Sequence, residues 1–217
     1  MKKIVCLILL ACILLLPVVG CAQDKGGSVD AYLSGFTAGR YGVTDPSNPI
    51  VEFTFEDYGT VRVELYPSIA PKSVANFLRY VDDKFYDGTI MHRVIEGFMI
   101  QGGGYYLDGY TIMDKATYPA IEGEFSSNGF ANDLKHTLGV LSMARANDPN
   151  SATSQWFICS ATASHLDGNY AAFGKIVDQE SAQVVLAVSQ VQTVYVSASF
   201  ANFPYPPVTL TSVRRLK

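Results

Sequence analysis

Residues 91–103 read MHRVIEGFMIQGG and carry the clearest indication of the fold. Two short apolar segments in this stretch are separated by a glycine, and similar segments, cut by Gly, Asn and Asp, continue on both sides. They lie at residues 90–91, 98–100, 138–143, 156–159 and 171–177. Short apolar segments bounded by turn-forming residues are typical of β-strands. The sequence therefore favours an antiparallel barrel or sandwich over alternating strands and helices.

A hairpin and two helices frame these strands. Apolar residues at 51, 53 and 55 and at 61, 63 and 65 alternate with polar ones around a Tyr58-Gly59 turn. From Pro71 the spacing becomes helical, and a second helix is expected from about Ser181, followed by a closing strand at 208–213. The predicted apolar faces are Val74, Phe77, Leu78 and Val81 in the first helix and Val184, Val185, Val188 and Val191 in the second.

The composition is that of a folded, mildly acidic protein. The 217 residues are 48% hydrophobic and include 16 basic and 20 acidic side chains, for a formal net charge of −4. This suits one domain with an appendage and excludes a chain that is disordered throughout. No basic stripe is present, so no nucleic acid is expected as a partner. His92, His136 and His165 have no metal-ligand spacing, and neither a metal nor another cofactor is expected.

The first segment resembles an export signal. Lys2 and Lys3 precede an apolar run at residues 4–19, which is shorter than the ~20 residues that a spanning helix needs. The run ends in LPVVGC at residues 16–21, which resembles a bacterial lipobox and implies cleavage before Cys21 and acylation of that cysteine. The alternative is an ordinary signal peptide in which Cys21 is incidental.

The predicted organisation therefore has three parts. Residues 1–20 are a lipoprotein signal peptide, residues 21–49 a lipidated cysteine with a flexible Gly-rich tether, and residues 50–217 the folded domain. We expect that domain outside the cytoplasm, held on a bacterial membrane by N-terminal acyl chains. Cys6 and Cys12 leave with the signal, so Cys159 is the only thiol of the domain and no internal disulfide can form.

Three motifs resemble those of one enzyme family. The stretch at 91–103 is similar to the core signature of cyclophilins, residues 141–146 through 154–158 to their second motif, and residues 166–168 through 173–175 to their third. The likeness covers about residues 49–216. It implies a mainly β fold, an eight-stranded antiparallel closed barrel capped by two α-helices. It also implies a monomeric peptidyl-prolyl cis/trans isomerase that acts on proline-containing polypeptides and, given the export signal, assists the folding of exported proteins.

The chemistry of that reaction explains which residue types are needed. Amide resonance makes rotation about the C–N bond cost ~18–20 kcal/mol. In the twisted transition state the proline nitrogen regains a lone pair, so a donor aimed at that lone pair stabilises the transition state selectively. Arg93 is the candidate catalytic donor, because its guanidinium is always charged and carries a rigid fork of N–H groups. No nucleophile, metal or acid–base pair is required.

The resemblance also assigns a substrate groove. It implies that Phe98, Met99, Phe157 and Leu166 form an apolar slot for the proline ring, and Trp156 is expected in the core instead. Gln101 holds Arg93 or the substrate carbonyl, and Gln155 guides the substrate. The other expected substrate-binding residues are His92 as a pocket wall, Ala144 and Arg145 beside the substrate main chain, His165 and Tyr170.

Three positions depart from the family pattern. Arg145 stands where animal cyclophilins have Asn, and the loop at 145–150 is one residue longer. Tyr170 stands where many members have His. His165 replaces the Trp of cyclosporin-sensitive members, which predicts only weak binding of cyclosporin.

A second function class uses the same groove. A binding module or chaperone without turnover would retain the apolar slot but would be expected to lose the catalytic arginine. Because Arg93, Gln101 and Phe157 are all present, the sequence favours the enzyme.

Overall fold

The computed structural model describes residues 42–217. The predicted signal peptide, Cys21 and the tether up to residue 41 lie outside the described residues. In the described part of the chain, none of the helices combines the length and the apolar character needed to cross a bilayer.

Residues 42–217 form two α-helices, α1 (Pro71–Asp82) and α2 (Gln179–Ser189), and a set of short β-strands. The strands are β1 (Ile50–Phe55), β2 (Gly59–Leu65), β3 (Ile90–Met91), β4 (Arg93–Ile95), β5 (Met99–Gly102), β6 (Tyr105–Asp108), β7 (Thr111–Asp114), β8 (Val140–Met143), β9 (Trp156–Cys159), β10 (Ala172–Ile176), β11 (Thr193–Val194), β12 (Phe203–Pro204) and β13 (Val208–Arg215). Nine of them form one antiparallel sheet in the order β3-β13-β1-β2-β10-β8-β9-β5-β4. The remaining strands form the small ribbons β6–β7 and β11–β12.

The sheet is a nearly closed barrel, as predicted, with nine strands in place of the expected eight. The difference lies at His92, which alone separates β3 from β4. Up to Met91 the chain pairs with β13 at one edge of the sheet, and from Arg93 it pairs with β5 at the other. The His92 N–H still donates to the Gln101 carbonyl at 3.1 Å. The expected eighth strand is thus one segment that changes partner, and this change brings the two edges together.

The hairpin and the first helix agree with the prediction. In β1 and β2, Val51 pairs with Val63 and Phe53 with Val61, and all four side chains are fully buried. Helix α1 begins at Pro71, where the missing N–H costs no helical hydrogen bond. Its four predicted apolar residues are all buried.

Helix α2 differs from the prediction in its start and in its apolar face. It begins at Gln179 because the Asp178 carboxylate accepts the Ser181 N–H at 2.7 Å and caps the first turn. Val185 and Val188 are buried as predicted, whereas Val184 and Val191 are only half-buried. The buried face is completed by Ala182 and Leu186.

The residues just before β1 are bonded to the domain through Glu64. Its buried carboxylate accepts hydrogen bonds from the Thr44 N–H at 2.8 Å, the Thr44 hydroxyl at 3.0 Å, the Asp45 N–H at 2.9 Å and the Asn48 side-chain amide at 2.9 Å. Burial by itself raises the pKa of Glu64, but these hydrogen bonds outweigh it and lower the pKa below its ordinary value. Thr44, Asp45 and Asn48, which precede β1, are therefore hydrogen-bonded to β2 through Glu64.

We expect Glu64→Gln to destabilise the domain by about 2–3 kcal/mol, since it removes a charged acceptor and turns an amide N–H₂ toward the donors. The contribution of Glu64 is present above the ordinary carboxyl pKa and is lost as the pH falls through the lowered folded-state value. Urea denaturation of both proteins at neutral pH measures the loss. Equal midpoints would show that the hydrogen bonds to the Glu64 carboxylate contribute nothing to stability.

Candidate active site

The candidate site lies on the outer face of the barrel, and strand alternation decides which side chains reach it. On β9, Trp156 is fully buried in the barrel, with its ring 4.9 Å from that of Phe53, which confirms its predicted place in the core. Its neighbour Phe157 belongs to a separate apolar cluster. The buried members of this outer cluster are Met99, Phe157, Cys159, Ala163 and Leu166, and Phe98, Ala144 and Tyr170 pack against it.

A pocket of about 100 Å³ opens above the outer cluster. Strands β4, β5 and β9 lie beneath the pocket. Their register places Arg93 opposite Gln101 and Gln101 opposite Phe157, so that the three side chains lie next to one another. The residues that line the pocket are Arg93, Phe98, Met99, Gln101, Ala144, Arg145, Phe157, Leu166 and Tyr170. Nine of the twelve residues that the sequence assigned to the groove therefore surround one cavity. The other three, His92, Gln155 and His165, lie beside it.

A polar chain runs along one side of the pocket. The Arg93 guanidinium donates through Nη1 to Gln101 Oε1 at 3.4 Å, and Gln101 Nε2 donates to Gln155 Oε1 at 3.0 Å. Gly104 makes room for this arrangement, since a Cβ there would lie 2.7 Å from Gln155 Nε2. The long contact to one amide leaves the other N–H groups of Arg93 available to a ligand. No carboxylate among residues 42–217 lies within 4.0 Å of Arg93.

His92 is buried behind this chain and is not among the residues that line the pocket. Its ring packs edge-on against Tyr105 at 4.7 Å and against Phe200 at 6.4 Å. The change of strand partner at this residue turns the side chain away from the cavity. Burial, followed by the charge of Arg93, lowers the pKa of His92 to about 4, so the ring is neutral at physiological pH.

His165 is exposed at the rim of the pocket, on a single 3₁₀ turn at Ser164–Leu166. Its ring centroid lies 5.2 Å from that of Phe98, with the two rings tilted by 35°. Leu166, the next residue, points inward and is buried in the outer cluster. His165 thus extends the outer surface of Phe98 without entering the cavity.

The buried His92 and Cys159 do not change their charge between about pH 6 and pH 9. We therefore expect the rate of the reaction catalysed at this site to be constant over that range. His92 takes up a proton only near pH 4, and burial raises the pKa of the Cys159 thiol to about 12. Below the ordinary histidine pKa of 6.5 the unfolded chain takes up a proton that folded His92 refuses, so stability falls as the pH falls from 6.5 toward 4. Measurements of the catalysed rate between pH 6 and pH 9 test the expected flat profile. A steep bell-shaped profile would instead require an acid–base group in the mechanism.

A buried side-chain cluster that was not predicted from the sequence supports the pocket from beneath. The buried ring of His136 stacks on Phe157 at a centroid distance of 6.0 Å and an interplanar angle of 18°. Its Nδ1 lies 3.0 Å from Asp167 Oδ1, and its Nε2 lies 3.1 Å from Ser142 Oγ. Burial, the largest influence, lowers the pKa of His136, so the neutral ring donates from Nδ1 to Asp167 and accepts from Ser142.

These three side chains have the composition of a hydrolase triad, yet Ser142 is fully buried and no substrate can reach it. Their role is to fix the ring of Phe157. The only indication of this cluster in the sequence was that Asp167 belongs to the third motif. A single histidine such as His136 has no characteristic spacing to other residues that would identify its role.

Arg145 braces the opposite rim. Its guanidinium donates to the carbonyls of Asn169 at 3.0 Å, Ala146 at 2.9 Å and Asn147 at 3.2 Å. It also lies over the Tyr170 ring at 4.7 Å. The loop that follows is closed at its base, where the Ala144 N–H donates to the Gln155 carbonyl at 3.0 Å. Arg145 thus connects the loop at 145–150 to the segment that carries Tyr170.

Comparison with known proteins identifies the family of the chain. The family model described as cyclophilin type peptidyl-prolyl cis-trans isomerase/CLD matches residues 50–215. A curated peptidyl-prolyl cis-trans isomerase of Acinetobacter baylyi is 42% identical over 173 residues, which are 77% of this chain and 86% of that protein. Peptidyl-prolyl cis-trans isomerase A of Dickeya dadantii is 41% identical over 164 residues, 73% of this chain and 80% of its own.

Solved structures share the fold as well. The crystal structure of a cyclophilin type peptidyl-prolyl cis-trans isomerase of Cryptosporidium parvum superposes with a TM-score of 0.61 at 26% identity, covering 78% of this chain and 98% of that one. A second crystal structure of the same protein, in the presence of the dipeptide Ala-Pro, gives a TM-score of 0.61 at 27% identity and covers 77% and 99% of the two chains. The chain, matched from Ile50 to Arg215 and carrying the expected barrel and pocket, belongs to the cyclophilin-type peptidyl-prolyl cis-trans isomerases.

Proposed function

We propose that this isomerase is exported, anchored by lipid at Cys21, and accelerates cis/trans exchange at Xaa-Pro bonds of exported proteins, thereby assisting their folding. The observation that carries the catalytic part is Arg93, a half-buried guanidinium at the wall of an apolar pocket with no described carboxylate within 4.0 Å. Uncatalysed exchange takes tens to hundreds of seconds, which is slow enough to limit folding.

In this mechanism the pocket holds the proline ring and Arg93 acts on the nitrogen. Phe98, Met99 and Phe157 hold the ring by apolar contact, so the rest of the peptide turns relative to a fixed proline. As the amide twists, its nitrogen becomes pyramidal and gains a lone pair, to which Arg93 donates a hydrogen bond. The planar ground state offers no such acceptor, so the bond lowers the barrier without equally stabilising the substrate.

Gln101 and Gln155 position this donor. Gln101 lies between Arg93 and Gln155 and accepts from one while donating to the other, which restricts the guanidinium to the pocket wall. No bond to carbon forms or breaks, and no proton is transferred. The reaction therefore requires geometry and charge alone.

The isomerase activity is tested by exchange NMR on an Xaa-Pro peptide with the wild-type protein. We expect exchange peaks between the cis and trans forms at catalytic amounts of protein, and faster refolding of an exported protein whose slow phase is limited by proline isomerisation. Binding of the peptide without accelerated exchange would instead identify a non-catalytic binding module or chaperone.

The anchoring part rests on the amino-terminal sequence. Two lysines, a sixteen-residue apolar run and a cysteine preceded by Gly20 support cleavage and acylation at Cys21. Two or three acyl chains, at ~0.8 kcal/mol per buried methylene, give stable membrane attachment where a single chain would not. The domain is then held on the outer side of a bacterial membrane, beside newly exported chains.

We expect Cys21→Ser to abolish acylation and to leave the protein either uncleaved or released from the membrane fraction. Cell fractionation and mass spectrometry of the mature amino terminus measure both effects. A matched variant, Cys12→Ser, changes a cysteine within the predicted signal and should leave attachment intact. An unmodified mature terminus of the wild type at any residue other than 21 would contradict the lipoprotein assignment.

A further inference from the structure

The charge of the pocket is opposite to that of the domain around it. Residues 42–217 contain 12 basic and 18 acidic side chains. Two guanidiniums, those of Arg93 and Arg145, line the pocket, and none of the other lining residues is acidic. The pocket is therefore a positive site on an acidic protein, and electrostatic potential of this kind favours a ligand of opposite charge.

Neither guanidinium is neutralised by the described part of the chain. Ion pairs within 4.0 Å occupy Arg62, Arg214 and Arg215, whereas no carboxylate lies that close to Arg93 or Arg145. The partners of Arg145 are backbone carbonyls, which accept its hydrogen bonds without cancelling its charge. Both charges thus remain available to a bound substrate.

Arg145 is held in place before any substrate arrives. Its guanidinium lies over the ring of Tyr170, at 4.7 Å, and over that of Phe125, at 5.1 Å. Nε and Nη2 both donate to the Asn169 carbonyl, and Nη1 donates to the carbonyls of Ala146 and Asn147. Because a guanidinium has five N–H groups, one N–H of Nη2 has no acceptor among residues 42–217. A fixed charge with a free donor loses little entropy when it meets a carboxylate.

We infer that this isomerase selects Xaa-Pro bonds flanked by acidic side chains, with Arg145 as the specificity-determining residue. The inference rests on the proposed function, because it names the substrates of the same pocket. A glutamate or aspartate next to the proline meets Arg145 across the rim, while Arg93 acts on the proline nitrogen. A lysine at the same position is repelled by both guanidiniums.

The test uses capped peptides that differ only in one residue next to the proline. One series places Glu, Gln or Lys before the proline, and the other places them after it. Exchange NMR gives kcat/KM for each peptide at low salt, about 20 mM, and at about 0.5 M, where surface charges are largely screened. In at least one series we expect the Glu peptide to exceed the Lys peptide about five- to tenfold, with Gln between them and the ratio approaching one at high salt.

Two variants at position 145 distinguish the effect of the charge of Arg145 from the effect of its hydrogen bonds to the loop carbonyls. Arg145→Gln removes the charge and the carbonyl contacts, whereas Arg145→Lys removes most of those contacts but retains the charge. We expect the Glu-to-Lys ratio to fall to about twofold or less in Arg145→Gln and to keep more than half its value in Arg145→Lys. Lys84→Gln, an equal change of net charge at an exposed residue outside the pocket lining, should leave the ratio unchanged.

The outcomes distinguish this inference from the proposed function. If wild type fails to accelerate exchange in the Gln peptides, the proposed function is wrong. If it accelerates all peptides equally, or if Arg145→Gln lowers all of them by one common factor, Arg145 only braces the loop and the specificity inference is overturned. Loss of the preference in Arg145→Lys as well as in Arg145→Gln would also overturn it.

Discussion

Arg93→Ala is expected to lower kcat/KM for an Xaa-Pro peptide by about 10²–10³, the usual effect of removing one preorganised donor from a transition state. The loss should appear mainly in kcat, because the donor meets a lone pair that exists only in the twisted amide. Apolar binding of the proline ring by Met99 and Phe157 remains, so KM should change little. Exchange NMR over a range of peptide concentrations separates the two constants.

The fold of the variant should be unchanged, since Arg93 is half-buried and makes one long hydrogen bond, to Gln101. Thermal unfolding checks this directly. Arg215→Ala provides a matched control, because Arg215 pairs with Asp82 on the surface and does not line the pocket. If Arg93→Ala retained turnover within threefold of wild type, the role assigned to Arg93 would be wrong.

His165→Trp is expected to tighten the binding of cyclosporin about ten- to a hundredfold, while wild type binds it weakly. His165 is exposed beside Phe98, so a larger ring there extends the apolar rim that a bulky ligand covers. Aromatic burial of this kind contributes about 1–3 kcal/mol, which corresponds to the expected change in affinity. Titration calorimetry on both proteins measures it.

Small Xaa-Pro peptides should respond much less to this change, because His165 does not line the pocket that receives the proline ring. We expect their kcat/KM to change by less than about threefold. Phe98 already covers the inner side of the rim, so the added ring lies beyond the reach of a short substrate. Nanomolar inhibition of the wild-type protein would show that other contacts replace the missing indole.

Local sequence patterns were sufficient where one element's own periodicity decides burial. The spacing of Val74, Phe77, Leu78 and Val81 identified the buried face of α1 correctly. The resemblance implied that Phe157 faces the groove, and its neighbour Trp156, on the opposite side of the strand, lies in the core as expected. The start of α2 was missed because an aspartate cap at Asp178 lengthens the helix by a contact that apolar spacing does not reveal.

At the site, the motifs predicted the residues that line the pocket, whereas the position of His92 depended on the fold. Motif resemblance named the nine residues that line the pocket, but it placed His92 among its walls. In the structure the chain changes strand partner at His92, which turns the ring toward Tyr105. No local pattern signals this change, because it depends on which edges of the sheet meet when the barrel closes.

Periodicity in the sequence was enough to predict the strand-rich fold and the faces of the hairpin and first helix, and three sequence motifs were enough to identify the family. Three features became evident only from the folded chain. His136, Asp167 and Ser142 support Phe157, Thr44 is hydrogen-bonded to Glu64, and Arg145 lies at the rim without a carboxylate partner among the described residues. His136 and Ser142 are only 6 positions apart, but His136 and Asp167 are separated by 31 positions and Thr44 and Glu64 by 20. The distances in these contacts are set by cross-strand register and barrel closure, which bring together side chains whose own neighbours in the chain carry no record of the pairing.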